Sequence, residues 1–110
     1  MNLLKTRRHQ SKAVRDSCRD KPCALMLADQ CSSTDTTVAC HIPERGNGGM
    51  GTKPSDIFIA DGCDACHAIL DGRVKSNYTP EFLELTGLRA NRKKIQFLLD
   101  SKFITMKGQK

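Results

Sequence analysis

The chain has no tryptophan, one tyrosine and four phenylalanines among 110 residues. With 38% hydrophobic residues in all, so few large rings exclude a deep aromatic core and leave one small domain with a thin one. No stretch approaches the roughly 20 apolar residues of a membrane-spanning helix. Met1 to Lys12 carries basic residues but no apolar run of signal-peptide length. These absences point to a cytoplasmic, reducing setting, where clustered cysteines bind metal more often than they form disulfides. A domain this small usually needs a staple, and six cysteines supply the means. An exported, disulfide-stapled peptide is the competing possibility.

The net charge of +6 is unevenly spread. Residues 1–23 carry +5, residues 24–88 carry −5 and residues 89–110 carry +6. Two basic ends flank an acidic middle, a pattern suited to gripping a polyanion with the flanks and holding cations at the centre. The plainer reading is that the ends are solvated and aid solubility.

Residues 1–22 read as a basic lead-in with at most a turn of helix around Ala13-Val14, part of it ordered only by a partner. Ala24 to Gln30, between Cys23 and Cys31, suits a short strand and turn that bring the two sulfurs together. Thr37 to Ile42 is rich in β-branched residues and predicts a strand. Pro43 ends it, and a loop with four glycines between Gly46 and Gly51 follows. Ser55 to Ala60 predicts a second strand, with Asp61-Gly62 as a turn. Asp64 suits the N-cap of a helix over Ala65–Leu70. Thr79 and Pro80 suit the cap and first position of another helix, which Gly87 should break before a last helix over about Arg89–Ser101. That last helix should bury Ile95, Leu98 and Leu99 and expose Arg92, Lys93, Lys94 and Lys102. The class is α+β, divided into a basic segment (1–22), a stapled core (23–75) and a helical segment packed on it (76–110).

Cys23 and Cys31 are spaced C-x7-C, and Cys63 and Cys66 are spaced C-x2-C. Zinc takes four thiolates in a tetrahedron, and two loop pairs brought together across a hairpin supply them. The predicted structural zinc ligands are therefore Cys23, Cys31, Cys63 and Cys66. Cys18, spaced C-x4-C from Cys23, is a competing ligand, and Cys40 in mid-strand reads as a buried small hydrophobe.

His41, Asp56, His67 and Asp71 remain. His67 and Asp71 lie four apart, on one face of the predicted helix, and can share a divalent ion such as Mg²⁺ or Mn²⁺. His41, at the end of a strand before the glycine loop, is placed to activate water as a general base. Phosphodiester hydrolysis needs a base for the attacking water, a cation for the developing charge and basic residues to hold the strand. The bland readings are a structural strand histidine and a spare zinc ligand at His67.

The run Ala39-Cys40-His41-Ile42-Pro43, the glycine-rich loop, and Cys63-Asp64-Ala65-Cys66-His67 together resemble the HNH (ββα-metal, His-Me finger) endonuclease motif. Within that superfamily the chain is most similar to small prophage-encoded nucleases of the YbcO type. The likeness rests on the Cys23–Cys31 spacing, His41-Ile42, Gly49-x-Gly51-Thr52-Lys53-Pro54-x-Asp56, and Cys63 to His67 followed by Asp71. It covers about residues 11–75. It implies a ββα-metal fold with His41 as general base, His67 as metal ligand and Asp71 at a further ligand position. Cys40 stands where HNH enzymes commonly carry an acid or a second histidine, and the motif's middle asparagine has only Asp56 as its nearest match.

The sequence thus predicts a divalent-metal-dependent endonuclease acting on DNA. Arg45, Lys53 and Arg73 are the basic residues nearest its centre. A zinc-stapled nucleic-acid-binding or adaptor module without chemistry is the alternative.

Overall fold

The computed structural model describes residues 8–43 and 54–108. The expectations for the glycine-rich loop, with Arg45 and Lys53, lie outside the described residues. In chain order the elements are α1 (Lys12–Asp16), β1 (Val38–His41), β2 (Ile59–Gly62), α2 (Asp64–Leu70) and α3 (Pro80–Asp100). The result is a small α+β domain built on one two-stranded antiparallel sheet.

The register pairs Cys40 with Ala60 and His41 with Ile59. Side chains alternate across a strand, so the hairpin divides its residues between two apolar clusters. Cys40, Ile42 and Ala60 join Leu25, Leu27, Cys63, Cys66, Leu70, Leu83 and Ala90 on the α2 side. Ile59 and Ala39 join Val14, Cys18 and Leu98 on the α1 side. The two thin cores replace the single aromatic core that the composition excludes.

The second strand starts later than its apolar run predicts. Asn91 Nδ2 donates to the carbonyls of Ile57 and Ile59 at 2.8 Å each, holding the chain in a turn before the ladder begins. Asp61-Gly62 is strand, not turn. At Gly62 a Cβ would lie 2.5 Å from Cys40 Sγ and 2.7 Å from Leu25 Cδ1, so only glycine lets the 23–31 loop close over the hairpin. That loop contains no strand. Met26 takes a left-handed conformation (φ 51°), which turns both Leu25 and Leu27 inward.

Gly87 does not interrupt the C-terminal helix. Thr79 caps α3 by accepting from Phe82 N–H at 3.1 Å, with Pro80 at the first position, as predicted, and the helix then runs unbroken for 21 residues. Leu83, Gly87, Ala90, Asn91, Lys94 and Leu98 form its buried stripe. A Cβ at Gly87 would meet Ile42 Cγ2 at 3.0 Å, so the glycine serves close packing rather than a stop. Lys94, predicted to be exposed, is buried. Its ammonium lies 2.9 Å from Asp61 Oδ1, an ion-pair contact outside hydrogen-bond alignment, and 4.6 Å from the Phe97 ring centre.

Candidate functional site

The 23–31 loop and the start of α2 meet at the cysteines. Sγ atoms of Cys23, Cys31, Cys63 and Cys66 all lie within 4.8 Å of one another, and these four form the only such cluster of metal-ligating side chains among the described residues. Cys31 and Cys66 sulfurs are 3.7 Å apart. Tetrahedral zinc with Zn–S bonds of about 2.3 Å separates its sulfurs by about 3.8 Å, so the cluster can bind a metal ion such as zinc.

Backbone donors point at the sulfurs as they would at thiolates. Leu27 and Ala28 N–H reach Cys66 Sγ at 3.2 and 3.3 Å, and Ser32 N–H reaches Cys63 Sγ at 3.4 Å. Burial works to raise the Cys63 thiol, but donors from the Cys66 and Ser32 backbone outweigh it and bring it down to about 7. Burial and the neighbouring Cys66 and Cys23 sulfurs push Cys31 up to about 12. The same cysteine loop caps α2: Ala65 N–H donates to Ser32 Oγ at 3.3 Å and Asp64 N–H to Thr36 Oγ1 at 3.2 Å. Cys63, not Asp64, is the N-cap residue, with no side-chain cap bond of its own.

Cys18 and Cys40 stand apart from this cluster. Cys18 is buried in the α1-side core. Cys40 is buried with its sulfur against the Val38 and Gly62 carbonyls, and burial raises its thiol far above the usual range.

His41 lies on the face opposite Cys40. Its Nε2 is 2.9 Å from Asp56 Oδ1. Asp56 is 2% exposed and is the hub of this second cluster. Ser11 N–H donates to its Oδ2 at 2.7 Å, Arg15 Nη1 lies 2.6 Å from the same oxygen, and Arg8 Nη2 lies 3.5 Å from Oδ1. Burial works to raise this carboxyl, yet hydrogen bonds from His41, Ser11 and Arg15 hold it below the ordinary carboxylate value. It is therefore an anion at neutral pH. An imidazole that donates Nε2–H to such an anion keeps Nδ1 open to accept a proton.

His67 and Asp71 meet on successive turns of α2, Nε2 to Oδ2 at 3.0 Å, with Arg73 Nε 3.6 Å from the same oxygen. At 3.0 Å the imidazole and the carboxylate contact each other directly, as an i, i+4 pair on one helix face. The structure thus brings together the four cysteines, His67 with Asp71, and His41 with Asp56. It does not gather His41, His67 and Asp71 into one three-residue cluster. Arg8 and Arg15 belong to the basic lead-in of the sequence. The basic lead-in marks them only as charge, because their partner lies more than 40 residues away.

The sequence model of the family described as "Putative nuclease YbcO" matches residues 12–99. A protein of Escherichia coli (strain K12) described as "Putative nuclease YbcO" is 33% identical over 72 residues, covering 62% of this chain and 75% of its own. A protein of Enterobacteria phage 82 with the same description matches to the same extent. A solved structure described as a "putative bacteriophage protein" from Escherichia coli K-12 superposes with a TM-score of 0.64 at 21% identity. It covers 82% of this chain and 100% of its own, and shares the fold.

Proposed function

The chain belongs to the YbcO family, and from that membership we propose that it is an endonuclease of the HNH type that hydrolyses DNA with the aid of a divalent metal ion. The observation that carries the reading is the His41–Asp56 pair, an imidazole fixed at 2.9 Å on a buried anionic carboxylate. In this reading the stapled core, residues 23–75, holds the chemistry, and the basic N-terminal segment and C-terminal helix hold the nucleic acid.

His41 takes the proton of the attacking water on Nδ1, while Asp56 holds Nε2 and orients the ring. Cys23, Cys31, Cys63 and Cys66 are the residues that would hold zinc, and such an ion would tie the start of α2 to the 23–31 loop. His67 and Asp71 are the residues that would hold Mg²⁺ or Mn²⁺, and such an ion, when bound, stabilises charge on the phosphate and the departing 3′-oxygen. Arg8 and Arg15 have donors beyond those used on Asp56, and with Arg73 they engage phosphates beside the reacting bond. Arg45 and Lys53 keep the same proposed role.

A second reading is a nucleic-acid-binding module without chemistry, and the placement of His41 on the opposite face of the hairpin from Cys40 and α2 favours it. Supercoiled plasmid incubated with the zinc-loaded protein and Mg²⁺ or Mn²⁺ separates the two. Nicking that is lost in His41→Ala supports the enzyme. Binding without nicking supports the module, and equal cutting by the variant indicates a contaminant.

A further inference from the structure

The solvent side of α3 carries a row that no part of the described chain covers. Buried positions 83, 87, 90, 91, 94 and 98 define one side of the helix. On the other side Glu81, Leu85, Leu88 and Arg92 follow at i, i+4, i+7 and i+11, so they lie along one line about 16 Å long. All four are exposed, Leu85 at 45% and Leu88 at 48%. Among the described residues neither Glu81 nor Arg92 has an ion-pair partner in its own chain. Beside this line Phe82 is 45% exposed, its ring stacked on Tyr78 at 4.9 Å.

The order acid, leucine, leucine, base reads as its own complement when reversed. Rotated by a two-fold axis through the midpoint between Leu85 and Leu88, an antiparallel second helix sets its Arg92 against Glu81, its Glu81 against Arg92, and each Leu85 against Leu88. A lone exposed leucine needs no explanation. Two leucines bracketed at equal distances by opposite charges have the pattern of an isologous helix pair, in which the same patch appears on both sides. A parallel pairing would put like charges together and is disfavoured by the same residues.

We propose that α3 is a homodimer interface, in which two copies of this chain pair antiparallel through Glu81, Leu85, Leu88 and Arg92. The inference rests on the residue pattern of α3 alone, and the nucleic-acid grip proposed for the C-terminal helix then falls to its basic residues outside this row. The contact is smaller than a standard interface, so the dimer is expected to dissociate on dilution.

Sedimentation equilibrium of the full, zinc-loaded chain over about 1–300 μM tests it, with circular dichroism to confirm that each variant stays folded. Wild type is expected to shift from monomer to dimer across this range. Glu81→Arg alone should weaken the dimer at least about tenfold, because it places like charges at both ends of the row. Arg92→Glu alone should do the same, and the double variant should restore association. Leu85→Ser together with Leu88→Ser should leave a folded monomer. Wild type that stays monomeric at every concentration overturns the proposal, as does a dimer indifferent to these changes. Arg92→Glu that lowers nucleic-acid binding while leaving the mass unchanged assigns the face to nucleic acid, and also overturns it.

Discussion

His41 and Asp56 are joined Nε2 to Oδ1 at 2.9 Å across the start of the hairpin, and the carboxylate that holds the imidazole is itself held by Ser11, Arg15 and Arg8. The histidine at the end of β1 therefore has its orientation set from the N-terminal segment. Replacing Asp56 acts on two properties at once. Asp56→Ala leaves two guanidinium groups without their anion and should cost about 2–4 kcal/mol in urea unfolding. Asp56→Asn keeps the volume but offers a poorer acceptor for the imidazole. It should lower plasmid nicking at least about tenfold while costing less stability than the alanine variant. Activity loss no greater than the change in folded fraction would show that Asp56 is only a structural anchor.

The same carboxylate sets an acid limit on stability. Its folded value lies below the ordinary carboxylate value of 3.8. The unfolded chain therefore takes up the proton first as pH falls. The stabilisation is fully present above about pH 4 and is lost as pH falls through the lower folded value. Urea midpoints measured between pH 6 and pH 3 should fall, and should fall less steeply in Asp56→Asn.

Metal removal tests the cysteine cluster. Chelation of the zinc-loaded protein should release about one zinc per chain and lower the melting temperature by well over 10 °C, since the ligands come from both the 23–31 loop and the start of α2. Cys63→Ser should do the same. Cys18→Ser and Cys40→Ser should retain zinc, whatever they do to packing. Cys31 at about 12 and Cys66, raised by burial, both carry protons at neutral pH. Zinc binding should therefore release at least these two protons, and apparent affinity should rise with pH. Calorimetry in buffers of differing ionisation enthalpy reads the count.

Gly87 separates helix propensity from packing. Alanine in an exposed helix interior gains about 1 kcal/mol over glycine. Here its Cβ meets Ile42 Cγ2 at 3.0 Å and Cδ1 at 3.1 Å, and Ile42 is buried and has little room to give. Gly87→Ala should therefore fail to stabilise, with a net cost of about 0–2 kcal/mol, and Gly87→Val should cost more than 2 kcal/mol. A rise in unfolding midpoint for the alanine variant would show that α3 can move away from the hairpin.

Sequence spacing carried the parts of the fold and site that are local. The four cysteines could be paired from their spacings, the Thr79–Pro80 start of α3 from its cap chemistry, and the His67–Asp71 contact from one helical turn. What could not be read depended on partners far along the chain. Gly87 resembles a helix breaker unless Ile42 is known to press on it. Lys94 resembles a surface lysine unless Asp61 and Phe97 are known to enclose it. The start of β2 is moved by Asn91, whose amide gives no sign in sequence of which carbonyls it will take. Arg8 and Arg15 resemble a solvated tail until Asp56 is placed between them.

Ser11 caps α1 with its side chain, accepting from Val14 N–H at 3.2 Å, and offers its own N–H to Asp56, 45 residues later. During synthesis the first helix therefore leaves the ribosome without the residue that anchors it, and cannot settle until the hairpin has followed. Cys23 and Cys31 wait in the same way for Cys63 and Cys66, so an ion that binds early finds only half of its ligands. The last long element to emerge, α3, supplies Asn91 to the hairpin backbone and Leu98 to the α1-side core. The start of α1 is thus held by a carboxylate that lies more than 40 residues further along the chain.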